Sequence, residues 1–191
     1  AAGSRIALGF DTHYTAAEVR PAAESGAIMN MLRWIEAKPG ETYFVPAGTV
    51  HALGEGFTVC EIQQTSDVTY RMFDYSRGRE LHLDHAMEVA RLEPYDTTQP
   101  AGNRLAACDY FVTDKLHWKG PANYTPTAGA LDEALIILSG SGTVAGQPYK
   151  AGEVWRAGNE PFSAVAAEPT ELIRTYVDET PFGSSSGLVN A

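Results

Sequence analysis

The chain has 191 residues and a net charge of −10, with 14 Lys and Arg against 24 Asp and Glu, a balance that argues against nucleic acid or anionic membrane as a partner. Apolar residues make up 44% and charged residues 20%, an ordinary globular composition with length enough for one large or two small cores. An anionic substrate would have to be held by locally placed Arg or Lys. No apolar run approaches the ~18 residues of a membrane span, and no signal-like stretch opens the sequence. Cys60 and Cys108 lie in apolar settings without a short-spaced partner, so they read as buried free thiols in a cytoplasmic protein.

In chain order, residues 5–10 (Arg-Ile-Ala-Leu-Gly-Phe) read as a strand. It begins so close to Ala1 that a fragment of a longer chain is expected. Thr15-Ala16-Ala17-Glu18 is a capping box and predicts a helix to about Ser25, with Pro21 limiting its regularity. Ile28, Leu32 and Ile35 share a rough stripe and predict a second short helix over 27–34. Lys38-Pro39-Gly40 is a turn, and strands are expected at 42–45, 58–63 and 68–73. Helical spacing returns over 83–91. Residues 93–102, with Pro94, Pro100 and Gly102, form the best linker. Beyond it, strands at 110–113, 133–138, 143–145, 153–156 and 172–177, separated by turn residues, suggest a sandwich or barrel. Gly183 to Gly187, with three serines, reads as a flexible tail.

The stretch from Gly40 to His51, GETYFVPAGTVH, carries the chemistry. Gly40 and Gly48 suit turns at strand ends, Pro46 stiffens the chain, and His51 is expected to project inward as a neutral imidazole able to bind metal. The spacing resembles the second metal motif of cupin barrels, although the Asn that often closes that motif is Glu55 here.

The following block, Glu61-Ile62-Gln63-Gln64-Thr65-Ser66-Asp67-Val68-Thr69-Tyr70-Arg71, closely resembles the signature of type I mannose-6-phosphate isomerases. The likeness continues through Asp74-Tyr75, Arg77 and Arg79-Glu80-Leu81-His82, and reaches back to Leu8-Gly9-Phe10 and Lys38-Pro39-Gly40. It covers residues 5–92 strongly and the remainder weakly. The resemblance implies a mainly β protein of cupin (double-stranded β-helix or jelly-roll) barrels with a small helical insertion, the first barrel incomplete at its N-terminus. On that basis residues 1–92 are the remainder of the catalytic cupin, 93–182 a second, metal-less cupin-like domain, and 183–191 a tail.

The resemblance further implies an aldose–ketose isomerase acting on a small sugar phosphate, with one divalent ion, zinc, in the whole enzyme. His51 would be a metal ligand. Arg71 would stabilise enediolate or phosphate charge, with an ion pair to Asp67 or Asp74 as its alternative role. Glu61 would act as acid/base or orienting carboxylate, or else as a structural acceptor. Arg77 and Arg79 read as solvated or paired with Glu80 and Asp84; Tyr70, Tyr75 and Trp34 as packing; His82 and His85 as unused.

The family's other ligands come from Gln-x-His and Lys-x-Glu motifs, and Gln-x-His occurs nowhere in the 191 residues. One imidazole does not hold zinc with useful affinity, so this chain alone is expected to be metal-poor and inactive. In the second half, aligning Gly152 with Gly40 puts Gly158, Glu160 and Ser163 where Pro46, Gly48 and His51 stand, so no metal site is expected there. Trp118 and Trp155 read as core. The competing reading is a non-enzymatic sugar-binding or regulatory cupin that has lost its metal site. The sequence says nothing of oligomeric state.

Overall fold

A computed structural model describes residues 3–66 and 68–178. Asp67 and the expected tail lie outside the described residues. Contacts divide the chain into two units, Ala1–Gln99 and Pro100–Ala191.

In the first unit, β1 (Arg5–Phe10) is the central strand of a three-stranded antiparallel sheet, flanked by β2 (Leu32–Glu36) and β3 (His51–Leu53). Two helices, α1 (Ala16–Ser25) and α2 (Leu83–Val89), complete the unit's regular structure. The capping box starts α1: the backbone N–H and hydroxyl of Thr15 donate to the Glu18 carboxylate at 2.8 and 2.7 Å. Pro21 sits inside this helix without ending it. Gly26, in the left-handed conformation, closes the helix.

Strand β1 contains the irregularity that shapes this unit. Ala7 pairs with Trp34 and Phe10 with Leu32, so three steps on β1 face two on β2. The extra residue is a bulge, and Gly9 takes φ 66° within it. Strict alternation would put Ala7 and Phe10 on opposite faces. The bulge instead brings both into one core with Val19 and Ala23 of α1, Ile28, Met72, and Leu83 and Ala86 of α2.

The helix expected over 27–34 is not formed. A 3₁₀ turn spans Ala27–Asn30, and the chain then enters β2. The apolar stripe is real, but pairing with β1 satisfies the backbone groups of Trp34 and Ile35 that a helix would have satisfied internally. The strands expected at 42–45, 58–63 and 68–73 are likewise irregular among the described residues. No ladder receives them: Thr42 N–H donates to the Gln99 side chain at 2.9 Å, and the Phe44 carbonyl accepts from the Tyr95 hydroxyl at 2.8 Å.

The second unit is a two-sheet β-sandwich. Its strands are β4 (Arg104–Ala107), β5 (Val112–Trp118), β6 (Pro121–Tyr124), β7 (Ala130–Ser139), β8 (Ser141–Val144), β9 (Gln147–Lys150), β10 (Val154–Ala157), β11 (Phe162–Ala166) and β12 (Thr170–Asp178). One sheet has the order β10-β7-β12-β5-β4 and the other β6-β11-β8-β9. Leu135, Ile137, Leu172 and Trp118 from the first meet Tyr124, Val144, Tyr149 and Ala164 from the second. Trp118 packs edge-on against Tyr124 and Tyr149, so it is core, as its sequence context implied. Two acids are buried here: Glu133 accepts from the Tyr124 hydroxyl and Thr127 N–H, and Asp114 pairs with Arg174 and Arg104.

The burial expected of the two cysteines is corrected. Cys60 is exposed and Cys108 half-buried, and both are free thiols. Tyr70 and Tyr75 lie on an irregular, partly exposed segment, and their rings pack as expected, Tyr70 against His82 and His85 and Tyr75 against Phe73. No helix among the described residues is long and apolar enough to cross a membrane.

Gly9→Ala tests the bulge. A Cβ there would lie 2.7 Å from Tyr95 Cβ, and the left-handed backbone adds about 1–2 kcal/mol of strain for a non-glycine residue. Chemical denaturation should show loss of at least that much stability, read at Trp34 in β2 with Trp118 and Trp155 replaced.

Candidate functional site

The turn before His51 explains where this side chain points. Thr49 N–H donates to the Pro46 carbonyl at 3.1 Å, and Gly48 supplies the positive φ of 84° that the turn requires. Gly48 also lies against the chain leaving α2, accepting from Arg91 N–H at 2.9 Å. The polypeptide then enters β3, where His51 pairs with Leu8 and Ala52 with Ala7. Facing residues of an antiparallel pair share a side of the sheet. Ala7 and Ala52 belong to the helix-packed side, which leaves His51 beside Leu8 on the other.

There His51 is exposed, rather than enclosed as expected. Its Nδ1 donates to the Thr49 carbonyl at 3.0 Å. A carbonyl only accepts, so Nδ1 carries a hydrogen, and in a neutral ring the lone pair would then lie on Nε2. Among the described residues no group of three or more His, Cys, Asp or Glu could hold a metal ion.

Arg71 stands in a separate, well-tied loop. Its N–H donates to His82 Nδ1 at 3.1 Å and its carbonyl accepts from His82 N–H at 2.8 Å. Its guanidinium donates to the Glu80 carbonyl at 3.2 Å and lies 3.9 Å from Asp74. Asp74 organises the loop between. Its carboxylate accepts Arg79 N–H at 2.8 Å and pairs with the Arg79 guanidinium, and its carbonyl accepts Arg77 N–H at 3.1 Å. Tyr75 and Ser76 both have positive φ, 53° and 57°, a strained conformation for non-glycine residues that these surrounding bonds maintain.

Arg79 thus pairs with Asp74, not with Glu80 or Asp84; Asp84 instead takes Arg20 at 2.6 Å. Arg77 lies over the Tyr75 ring, 5.5 Å from its centroid. Glu61 is exposed in the irregular stretch after β3, and among the described residues it makes no hydrogen bond or ion pair. Arg71 and Asp74 come together as one reading of the sequence allowed, whereas His82 was missed. Its partner is eleven residues away through a loop closure, and no periodicity signals that.

Burial pushes the Asp74 carboxyl upward, but the Arg79 amide and guanidinium and the Arg71 charge outweigh it and hold the group below its usual value. A carboxyl depressed in the folded state stabilises above its unfolded pKa of ~3.9, and that stabilisation is lost as pH falls through the folded value. Amide-exchange protection at Arg77 and Arg79 should therefore drop in strongly acidic solution before the sheet opens. Asp74→Asn should lower it already at neutral pH.

No family model matches the chain. A probable mannose-6-phosphate isomerase of Bacillus subtilis, GmuF, is 37% identical over 145 residues, covering 68% of this chain and 45% of that protein. The mannose-6-phosphate isomerase ManA of the same organism is 32% identical over 158 residues, covering 73% and 50%. The crystal structure of the Bacillus subtilis mannose 6-phosphate isomerase superposes with a TM-score of 0.74 at 29% identity, over 93% of this chain and 62% of that one. An Archaeoglobus fulgidus structure at 13% identity and TM-score 0.67 supports the fold alone. The chain spans about half the length of the curated relatives it matches. With these relatives and a mainly β architecture, the chain belongs to the type I mannose-6-phosphate isomerases.

Proposed function

We propose that these residues form part of an isomerase that interconverts mannose 6-phosphate and fructose 6-phosphate in the cytoplasm. The observation that carries the proposal is the preset His51 imidazole, with Nδ1 committed to the Thr49 carbonyl and Nε2 without a partner among the described residues. In this reading residues 1–92 belong to the catalytic cupin and 93–182 to a second cupin that binds no metal. His51 would hold a divalent ion, zinc, together with ligands from outside these 191 residues, and that ion would supply polarisation of the sugar oxygens.

The chain's own groups do the remaining work assigned here. Arg71 presents a fixed cation, half-exposed, toward charge that builds up on the enediolate oxygens or sits on the phosphate. Its tethering to Glu80 and Asp74 favours this over a freely moving surface arginine. Glu61, which makes no hydrogen bond or ion pair among the described residues, is the candidate to take the proton from the carbon next to the carbonyl and return it to the neighbouring carbon. The net charge of −10 makes the local cation at Arg71 the more necessary for an anionic substrate.

Calorimetric titration of this chain with zinc should give no tight stoichiometric binding, whereas the full-length polypeptide should bind one ion and turn over mannose 6-phosphate. Arg71→Ala in that polypeptide should lower kcat/KM about 10²- to 10³-fold with zinc content unchanged, and His51→Ala should lower zinc content itself. Tight zinc binding by the chain alone, or full turnover without Arg71, would contradict the proposal. A full-length protein without isomerase activity that still bound a sugar would favour the non-enzymatic cupin.

A further inference from the structure

Arg71 owes its placement to more than its ion pair. Its backbone is clamped on both sides by one residue: N–H to His82 Nδ1 at 3.1 Å, carbonyl from His82 N–H at 2.8 Å. His82 is itself fixed by position. It caps α2, its carbonyl accepts Ala86 N–H at 2.9 Å, and α2 is anchored through buried Leu83 and Ala86. The imidazole tilts against the Tyr70 ring with centroids 6.3 Å apart, and His85 stacks on the same ring at 5.1 Å. Packing thus runs from the core through α2 and the His82 ring to the backbone of Arg71.

We infer that His82 is a positioning residue for the proposed isomerisation: its Nδ1 accepts the Arg71 N–H and so sets the direction of the guanidinium. The inference rests on the role assigned to Arg71 above. The bond requires an unprotonated Nδ1, because a ring carrying hydrogen on both nitrogens has no acceptor to offer. The surroundings are arranged for this bond. Asp74 and the Glu80 carbonyl take the Arg71 side chain, Asp74 takes Arg79, and Arg20 takes Asp84, so the nearby charges have partners other than the imidazole. Without the ring, Arg71 N–H loses its acceptor and only the carbonyl half of the clamp remains.

The test compares His82→Ala, His82→Asn and Arg71→Ala in the full-length polypeptide, with kcat and KM measured separately on mannose 6-phosphate. Asparagine can place its Oδ1 where Nδ1 stands and accept the same N–H. His82→Ala should lower kcat about ten- to a hundredfold while changing KM far less, the signature of a misaimed group in the transition state. His82→Asn should recover most of that loss. In the isolated, nitrogen-labelled chain, exchange protection of the Arg71 amide should fall in the alanine variant and return in the asparagine variant. Wild-type kcat in His82→Ala, or equal losses in both His82 variants, overturns the inference while leaving Arg71's role standing if Arg71→Ala shows its expected loss. Full turnover in Arg71→Ala overturns the role of Arg71 and this inference with it.

Discussion

The register of β3 on β1 decides whether His51 can take the metal-ligand role proposed for it. Strand side chains alternate, so a slip of one residue would turn His51 onto the helix-packed side and Ala52 or Val50 out of it. Register is held at both ends. Gly9 N–H donates to the Val50 carbonyl at 2.8 Å, and Gly54 N–H to the Arg5 carbonyl at 2.9 Å. The Gly9 bulge belongs to the same arrangement, because it lets β1 serve the helical core with both Ala7 and Phe10 while Leu8 remains beside His51. One central strand thereby couples the packing of α1 and α2 to the orientation of an imidazole on the opposite face.

A second constraint is local and concerns Arg71. The role proposed for Arg71 needs a cation that is held without being neutralised. The loop achieves this by division: Asp74 pairs most closely with Arg79, leaving Arg71 at 3.9 Å with a neutral carbonyl as its nearer partner. Two strained left-handed residues in the turn are tolerated because the bonds around Asp74 determine the loop's path.

Much of the fold could be read from residues that act locally. The capping box, α2 and the longer strands β7 and β12 carry their own patterns. What escaped was set by partners distant in sequence. Strands β6 and β9 contain Pro121 and Pro148, which argue against a strand until both are seen to lie at sheet edges, where a missing N–H costs nothing. The stripe Ile28, Leu32 and Ile35 suited a helix as well as a strand, and pairing with β1 decided it. Extended segments at 42–45 and 58–63 have strand-like composition but no ladder to join among the described residues. For the candidate site, the turn that leads into His51 could be read locally. The roles proposed for His51 and Arg71 rest on resemblance, and the contact of His82 with Arg71 had no sequence signal, since it depends on a loop closure between residues eleven apart.

The central claim is that His51, through Nε2, is the one metal ligand these residues provide. Anomalous diffraction at the zinc edge from crystals of the full-length polypeptide tests it most directly. The ion should be bonded to His51 Nε2, with Nδ1 still donating to the Thr49 carbonyl and every other protein ligand drawn from outside this chain's 191 residues. An ion bound away from His51, or one ligated by further residues of this stretch, would contradict it.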